Sequence, residues 1–393
     1  MEQTAVTRLL ARVDWDFQDY VSKSYPEDIN NMHWYPASFI PQIPSILIQM
    51  FSERKDEVLD PFLGSGVALV EAAKQGRNFL GVDSNPYAVD IVKAKFEALN
   101  CRDWTWAKEF AKTICNRRLA EEPLQYCRQH GINEEVFRWF HPRTLNELLE
   151  IHSCIADDGA SSLHLLKKVV FSAILKSCCS QRKHYTYITD GCMPKEFIEV
   201  PSKQKYIQHL DLVEEASRKF RKQYEELNSC EWRSLEGDVR VGDARDLGWI
   251  VPGTVDLIVT SPPYLGCNDY ARSMRLTSLF FREHKIPDVL INEIGARCKR
   301  HRETLQDEYL RDVKKSFEEC KKALRGGGYF ALTFGQGKGR VRKSDVIGHL
   351  TDYLIMEIGF SKIFDTLRNI KYHRIRFPGV MNERVIVFQK AME

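Results

Sequence analysis

The chain has 393 residues, enough for one large catalytic domain and a second module. Charged residues make up 28% of it, but the net charge is only +3, so any nucleic-acid-binding face must come from local clusters. Residues 1–20 contain acids and no apolar core, and no later apolar run is long enough to span a bilayer. We therefore expect a cytoplasmic protein without a signal peptide or a membrane span.

The cysteines give no sign of a disulfide framework or a metal site. There are 11, an odd number, and no two are spaced as Cys-x-x-Cys. Cys178 and Cys179 are adjacent, which suits neither a disulfide nor a zinc site. We expect reduced, mostly buried thiols and no bound metal.

The first hundred residues alternate between helical and strand patterns. Strands are predicted at residues 57–60 and 78–83, and helices at residues 39–51, 66–75 and 85–99. A strand, a glycine turn, a helix, a strand and a helix form the opening of a doubly wound parallel sheet. The predicted fold class is therefore α/β.

A helical block interrupts this pattern. From about residue 102 to residue 227 strand signals are nearly absent, and helices are predicted at residues 144–155, 161–179 and 206–227. Thr144 and Glu147 are expected to form a capping box at the start of the first. The chain thus divides into residues 1–100, a helical insertion at 101–235, and residues 236–393.

Strand signals return after the insertion. Strands are predicted at residues 239–243, 255–260, 329–334, 363–367 and 384–389, and helices at residues 272–282, 307–324 and 344–359. The last two strands are expected to be antiparallel. The total is about seven strands in one catalytic domain that the insertion interrupts.

The first functional string is Asp60-Pro61-Phe62-Leu63-Gly64-Ser65-Gly66, between a predicted strand and a helix. Its glycines let the backbone approach a ligand, and the helix N-terminus offers amides to a carboxylate. Asp83 ends the next strand, where an acid can accept both hydroxyls of a ribose. A plain tight turn with a helix cap is the alternative, but the whole string together with Asp83 makes it the weaker one.

Two further observations narrow the chemical class of the predicted ligand. The string lacks the Gly-Lys-Ser/Thr signature, which disfavours a nucleoside triphosphate. Asp243 and Ala244 follow another predicted strand, and Asp243 is placed to meet an adenine amino group. A solvated turn aspartate explains its spacing equally well.

The second functional string is Ser261-Pro262-Pro263-Tyr264, directly after a predicted buried strand. Its prolines stiffen the chain and leave the carbonyls before and between them as acceptors. Such acceptors suit an exocyclic amino group, because drawing its hydrogens away from the nitrogen lone pair makes the nitrogen a better nucleophile. Tyr264 offers a flat face to an extruded base. Taken alone, the string is also compatible with a simple proline-rich turn.

Together the two strings resemble the amino-group DNA methyltransferases, specific for N4 of cytosine or N6 of adenine. The resemblance implies a class I, Rossmann-like fold with a seven-stranded, mostly parallel sheet. It implies that residues 1–100 bind S-adenosyl-L-methionine and that residues 236–393 are the catalytic half. Ser261 in the first catalytic position is similar to N4-cytosine enzymes, whereas adenine enzymes more often carry Asp or Asn.

The resemblance extends to three other segments. Residues 33–41 are similar to the segment that helps to close the family's cofactor pocket, although many relatives have a lysine in place of Ser38. Residues 139–145 and 383–388 are similar to bacterial members. The implied cofactor-binding residues are Tyr35, Pro36, Ala37, Asp60, Pro61, Phe62, Gly64, Ser65, Gly66, Asp83, Asp243 and Ala244. The implied catalytic residues are Ser261, Pro262, Pro263 and Tyr264.

The resemblance also implies a mechanism and partners. The target base flips out of double-stranded DNA, and its amino nitrogen takes the methyl group in one step without a cysteine adduct. An insertion between the two strings is similar to the target-recognition placement of one subgroup, so residues 101–235 are predicted to read DNA. A cognate restriction endonuclease is the expected protein partner.

Three runs mix basic residues with aromatic residues or histidine. They supply the predicted DNA-binding residues, which are Arg182, Lys183, His184, Tyr185, Arg300, Arg302, Lys371, Arg374 and Arg376. Basic side chains neutralise phosphates, and aromatic rings stack or wedge. Any single run is more commonly a solvated surface, but three beside a base-modifying site favour DNA.

Three alternatives stay open at this stage. An N6-adenine DNA methyltransferase would use the same machinery. Some tRNA guanine-N2 methyltransferases carry similar strings, although they usually append an RNA-binding domain that is not recognised here. A non-catalytic DNA-binding subunit is disfavoured by the intact residues Gly64, Gly66 and Asp83 and by the Ser-Pro-Pro-Tyr string.

Overall fold

The computed structural model describes residues 3–17, 28–36, 38–159, 161–181, 188–189, 193–232, 236–281, 283–337, 345–370 and 380–392. Its centre is a sheet of seven strands. They are β1 Glu57–Asp60, β2 Asn78–Asp83, β3 Gly237–Val241, β4 Val255–Thr260, β5 Leu324–Gly337, β6 Ser361–Asn369 and β7 Val380–Gln389.

The strand order is β3-β2-β1-β4-β5-β7-β6. The first five of these strands pair in parallel, whereas β7 is antiparallel to both β5 and β6. This confirms the predicted α/β fold with seven mostly parallel strands. The order reverses between β1 and β4, and in doubly wound sheets ligands bind at the carboxyl ends of strands at such a point.

Helices cover both faces of the sheet. They are α1 Gln3–Leu10, α2 Gln42–Phe51, α3 Val67–Lys74, α4 Pro86–Asn100, α5 Thr105–Asn116, α6 Pro123–Gln129, α7 Pro142–Asp157, α8 His164–Cys178, α9 Ser202–Asn228, α10 Tyr270–Ser273, α11 Arg275–Phe280, α12 Ile286–Asn292, α13 Leu305–Ala323 and α14 Val346–Asp352. None of the helices in the described ranges has the length and apolar character to cross a membrane.

Alternation along the central strands produces two hydrophobic clusters, one on each face of the sheet. On β1, Val58 belongs to one cluster and its neighbour Leu59 to the other, and both are fully buried. On β4, Leu257 and Ile258 are divided in the same way. Successive side chains of a strand point to opposite faces, so a continuous apolar run is what a sheet covered on both faces requires.

The described residues between β2 and β3 form helices α4 to α9, and helices from residue 105 onward share their core with the sheet. Phe110, Leu148, Phe171 and Leu210, from α5, α7, α8 and α9, belong to the same buried cluster as Val58 of β1. These helices are therefore packed onto one face of the sheet rather than around a core of their own. The role of residues 101–235 as a DNA reader stays a prediction.

The predicted capping box of α7 is wrong. The helix begins earlier, with His141 as its N-cap. The Thr144 hydroxyl instead accepts from the Val200 amide at 2.7 Å, and Glu147 accepts from the Lys203 amide at 3.1 Å. Both side chains fasten the segment that leads into α9, and this contact between distant parts of the chain outweighs the local capping pattern.

Other differences concern element boundaries. The helix predicted at residues 272–282 is broken at Met274 into α10 and α11. The helix predicted at residues 344–359 continues after α14 as a π-helical turn, Tyr353–Glu357. Helices α1, α5, α6 and α12 were not predicted.

Candidate active site

The glycine loop, residues 61–66, links β1 to α3 at the carboxyl edge of the sheet. Gly66 is the N-cap of α3 with a φ of +74°, and a Cβ there would collide with the side chain of Val92. Gly64 has a φ of +51°, and a Cβ would lie 3.5 Å from the Tyr35 ring. Only glycine fits both the backbone conformation and the space at residue 66, so the loop forms a close cradle beneath the pocket.

Two carboxyl groups, those of half-buried Asp83 and buried Asp60, hold the glycine loop. The Gly64 and Asn85 amides each donate to the Asp83 carboxylate at 2.8 Å. The Thr260 hydroxyl donates to Asp60 at 2.6 Å. Burial raises the pKa of Asp83 to about 6 and that of Asp60 to about 7, although these hydrogen bonds oppose the shift.

A pocket opens above this loop, with about 880 Å³ of empty volume including space open to solvent. The predicted residues that line it are Tyr35, Pro36, Asp60, Pro61, Phe62, Gly64, Ser65, Asp83, Asp243, Ala244, Ser261 and Pro263. The structure thus brings together two strings that are about 200 residues apart in the chain. Gly66, Pro262 and Tyr264 adjoin this lining, and Ala37 lies outside the described residues.

Asp243 lines the pocket but is already paired. Arg245 donates to it through its own backbone amide at 2.9 Å and through its guanidinium, and it also pairs with Asp312 at 3.1 Å. Burial alone would raise the pKa of Asp243, but the hydrogen bonds and charge of Arg245 outweigh it and lower the pKa. The predicted contact to an adenine amino group stays a prediction.

A further wall of the pocket lies outside the two predicted strings. It is formed by Tyr270, Val289, Asn292, Glu293 and Ile294. The Tyr270 ring stacks on Tyr35 at a centroid distance of 5.9 Å. Glu293 accepts from the Tyr270 and Ala271 amides at 2.8 and 3.2 Å, and burial raises its pKa to about 7. No local string marks Glu293, because its partners lie more than 20 residues away.

The Ser-Pro-Pro-Tyr loop, residues 261–264, forms the opposite side. Ser261 and Pro263 line the pocket, and the Tyr309 hydroxyl donates to the Pro263 carbonyl at 2.9 Å. Tyr264 is only 6% exposed, and its ring lies against the backbone of Gly335, where a Cβ would collide with it. In this conformation Ser261, rather than the predicted flat face of Tyr264, is presented to the pocket.

Ser38 occupies the position where many relatives have a lysine. Its hydroxyl donates to the Tyr35 carbonyl at 3.0 Å and receives the Ser65 hydroxyl at 2.9 Å. A different lysine, the fully buried Lys95, donates to the Ser65 carbonyl from behind the loop at 2.7 Å. Burial lowers the pKa of Lys95 to about 8. Basic support for the glycine loop thus comes from α4 and not from residue 38.

Only two of the predicted DNA-binding residues lie in the described part of the chain. Arg300 donates to the Gly266 carbonyl at 2.6 Å, just beyond the Ser-Pro-Pro-Tyr loop, and Arg302 lies 3.6 Å from Glu308. The others, Arg182, Lys183, His184, Tyr185, Lys371, Arg374 and Arg376, fall outside the described residues. The basic segment around Arg300 therefore lies next to the Ser-Pro-Pro-Tyr side of the pocket.

Within the described ranges, one group of side chains has the spacing of possible metal ligands. Asp90, Glu283 and His284 offer ligand atoms within 4.8 Å of one another. Lys168 forms an ion pair with Glu283 and neutralises part of the charge that a cation would need. The group lies outside the lining of the pocket.

The residues present fit S-adenosylmethionine. Four acids line the pocket, Asp60, Asp83, Asp243 and Glu293, and none of its described lining residues is a lysine or an arginine. This charge suits a ligand with an ammonium and a sulfonium group, while the amides of the glycine loop and the N-terminus of α3 suit its carboxylate. Asp83 lies at the end of β2, where a ribose is expected.

Comparison with known proteins shows that the chain is similar to DNA methyltransferases. A family model described as DNA methylase, of the N6 and N4 type, matches residues 7–94. The Type II methyltransferase M.MjaII of Methanocaldococcus jannaschii is 21% identical over 395 residues, covering 80% of this chain and 73% of that protein. The Type II methyltransferase M.MvaI of Kocuria varians is 21% identical over 260 residues, covering 62% of this chain and 55% of that protein.

Among solved structures, the rRNA methyltransferase aviRa from Streptomyces viridochromogenes aligns over 96% of each chain. Its sequence identity is 11% and its TM-score 0.39, a likeness too distant to bear on function. The DNA methylase match, by contrast, includes the whole glycine loop and Asp83, the residues that build the floor of the pocket. The chain is therefore similar to the amino-group DNA methyltransferases, and its pocket fits S-adenosylmethionine as the methyl donor.

Proposed function

We propose that the protein transfers a methyl group to the N4 amino group of a cytosine flipped out of double-stranded DNA. The observation that carries the proposal is the place of Ser261, whose side chain lines the same pocket as the glycine loop and Asp83. A target amino group beside Ser261 is therefore next to the expected cofactor. A neutral serine in this position, in place of Asp or Asn, favours cytosine over adenine as the substrate.

The chain's own residues bind and orient the cofactor in this proposal. The glycine loop receives the amino-acid end, Asp83 accepts the ribose hydroxyls, and Asp243 lies at the adenine end. Tyr35 and Tyr270, stacked on each other, close the pocket from the side. When bound, S-adenosylmethionine supplies an electrophilic methyl group, so that positioning accounts for much of the rate enhancement.

The Ser-Pro-Pro-Tyr loop acts on the target base. The Ser261 hydroxyl and the carbonyls beside the prolines accept the two hydrogens of the amino group, which leaves the nitrogen lone pair directed at the methyl group. Tyr309 holds this loop in place through the Pro263 carbonyl. Pre-positioned acceptors of this kind need no rearrangement during the reaction.

The remaining parts of the proposal concern DNA recognition. We propose that the helical block at residues 101–235 reads the target sequence and that Arg300 and Arg302 contact phosphates. Residues 1–100 and 236–393 form the cofactor and catalytic halves. A restriction endonuclease with the same recognition sequence would be the functional partner, in a restriction-modification or related defence system.

A methyl-transfer assay with labelled S-adenosylmethionine tests the proposal. We expect label in unmethylated genomic DNA and none in tRNA or rRNA. Pro263→Ala and Tyr264→Ala should abolish transfer, and Ser261→Ala should lower kcat strongly while leaving a measurable rate. In each variant the cofactor affinity, measured by calorimetry, should stay within about twofold of the wild-type value, a change of well under 1 kcal/mol. Label in RNA alone, or full activity in Ser261→Ala, would refute the proposal.

A further inference from the structure

A buried row of polar side chains connects the Ser-Pro-Pro-Tyr loop to the last two strands of the sheet. The Ser261 hydroxyl donates to Tyr264 Oη over 3.2 Å, and Tyr264 Oη donates to Glu383 Oε1 over 3.1 Å. The other carboxylate oxygen of Glu383 receives Arg368 Nη1 at 2.8 Å. Tyr264, Glu383 and Arg368 are each less than 10% exposed, so water screens these contacts little.

The register of the sheet holds this row in place. Arg368 on β6 lies opposite Glu383 on β7, and Glu383 lies opposite Gly335 on β5. Because Gly335 has no side chain, the Tyr264 ring can lie against it and reach Glu383. Arg368 is fixed from its other side, since its Nε donates to the Trp15 carbonyl at 2.9 Å. The row therefore crosses three neighbouring strands and ends in a buried ion pair.

The chemistry of these groups gives the row a direction. A guanidinium only donates hydrogen bonds, and an ionised carboxylate only accepts them. The single phenol proton of Tyr264 is thus committed to Glu383, which leaves the phenol oxygen to accept the proton of Ser261. With its own proton used in this way, Ser261 presents only lone pairs to the pocket. An exocyclic amino group, with two N–H donors, is complementary to that surface.

We propose that Glu383 and Arg368 are positioning residues of methyl transfer, which act by making Ser261 an obligate hydrogen-bond acceptor for the target amino group. This inference rests on the proposed function of the pocket. Neither residue lines the pocket, so both act through Tyr264 and Ser261. Arg368 compensates the charge of the buried carboxylate, which would otherwise be costly.

The decisive variant is Glu383→Gln, which keeps the shape of the side chain. Because Arg368 can only donate, the new amide turns its oxygen to Arg368 and its NH₂ to Tyr264. The Tyr264 phenol then donates its proton to the Ser261 hydroxyl oxygen. This hydrogen bond occupies a lone pair that would otherwise accept from the target amino group. We expect kcat to fall about tenfold, the loss of one charge-assisted hydrogen bond, with unchanged KM and affinity for S-adenosylmethionine.

A double-mutant cycle separates positioning from general structural damage. If Glu383 acts through Ser261, Glu383→Gln should lower kcat by less than about twofold in a Ser261→Ala background, because the two residues share one function. Asp365→Asn is the matched control, since Asp365 pairs with Arg384 across the same two strands at 3.0 Å without contacting the catalytic loop. It should leave kcat unchanged. Additive losses in the cycle would overturn the inference.

A spectroscopic measurement tests the row without relying on activity. Tyrosine labelled with ¹³C at Cζ reports the hydrogen bonding of its phenol, and the Tyr264 resonance can be assigned with Tyr264→Phe. We expect this resonance to shift in Glu383→Gln and not in Asp365→Asn. An unshifted resonance would show that the Tyr264 phenol does not donate to Glu383, and would overturn the inference. If the shift is present but the wild-type protein transfers no methyl group to DNA, the proposed function is wrong. The hydrogen bonds from Ser261 to Arg368 would still stand.

Discussion

Three carboxyl groups face the pocket, those of Asp60, Asp83 and Glu293. Burial raises their pKa values to about 7, about 6 and about 7. Without a ligand, each pays a desolvation cost to carry its charge near neutral pH. A cationic cofactor stabilises the ionised forms, so we expect its binding to be accompanied by proton release from this pocket.

Asp83 is the residue on which cofactor binding depends most directly. Asp83→Ala removes both the acceptor for a ribose and the partner of the Gly64 and Asn85 amides. We expect the dissociation constant for S-adenosylmethionine to rise about tenfold or more. Calorimetric titration measures this effect, and Asp246→Ala, in an exposed turn, is the control. Equal affinity in the two variants would contradict the assigned role.

Asp60 gives a prediction about pH and stability. Its pKa in the folded protein, about 7, lies above the ordinary value of 3.8, because burial disfavours the charged carboxylate. The folded state therefore holds this proton longer than the unfolded state, and stability is lost as pH rises from about 4 to about 7. Asp60→Asn keeps the acceptor oxygen for Thr260 and carries no charge.

We therefore expect the melting temperature of Asp60→Asn, relative to wild type, to increase as the pH is raised from 5 to 8. Thermal unfolding of the cofactor-free proteins at several pH values measures this difference. A constant difference across that range would show that Asp60 is not the titrating group. Ser65→Ala, a neighbouring uncharged substitution, should give no pH-dependent difference.

At the scale of elements, the close packing of α4 against the start of α3 requires a glycine at the junction between the glycine loop and α3. Gly66 needs a left-handed backbone, and its Cα faces Val92 of α4 with no room for another atom. The glycine thus serves two separate purposes, backbone conformation and close helix packing. A second glycine, Gly253, allows the cost of the backbone conformation to be measured apart from the cost of close packing.

Gly253 has the same φ of +74° as Gly66, and a Cβ there would meet nothing within 4 Å. Gly253→Ala should therefore cost only the backbone strain, about 1–3 kcal/mol. Gly66→Ala should cost clearly more and also weaken cofactor binding, because the loop must move away from α4. Chemical denaturation gives both free energies of unfolding. Equal losses in the two variants would argue against close packing at Val92, and Val92→Ala should partly rescue Gly66→Ala.

At the scale of the whole molecule, the features that could be predicted from the sequence are those that depend on short, local stretches of the chain. Short apolar runs predict the seven strands, and the strings at residues 60–66 and 261–264 predict the floor and one side of the pocket. The wall around Glu293 and the row from Ser261 to Arg368 depend on contacts between distant segments, which no local pattern encodes. The capping box at Thr144 failed for the same reason, since its side chain binds Val200 instead.

The most direct test of the account is the identity of the methylated nucleoside after transfer to unmethylated DNA, determined by mass spectrometry of the digested product. We predict N4-methylcytosine, formed beside Ser261 in the pocket that contains Asp83. N6-methyladenine would contradict the role assigned to Ser261 in choosing the base, while leaving the fold and the cofactor site as described.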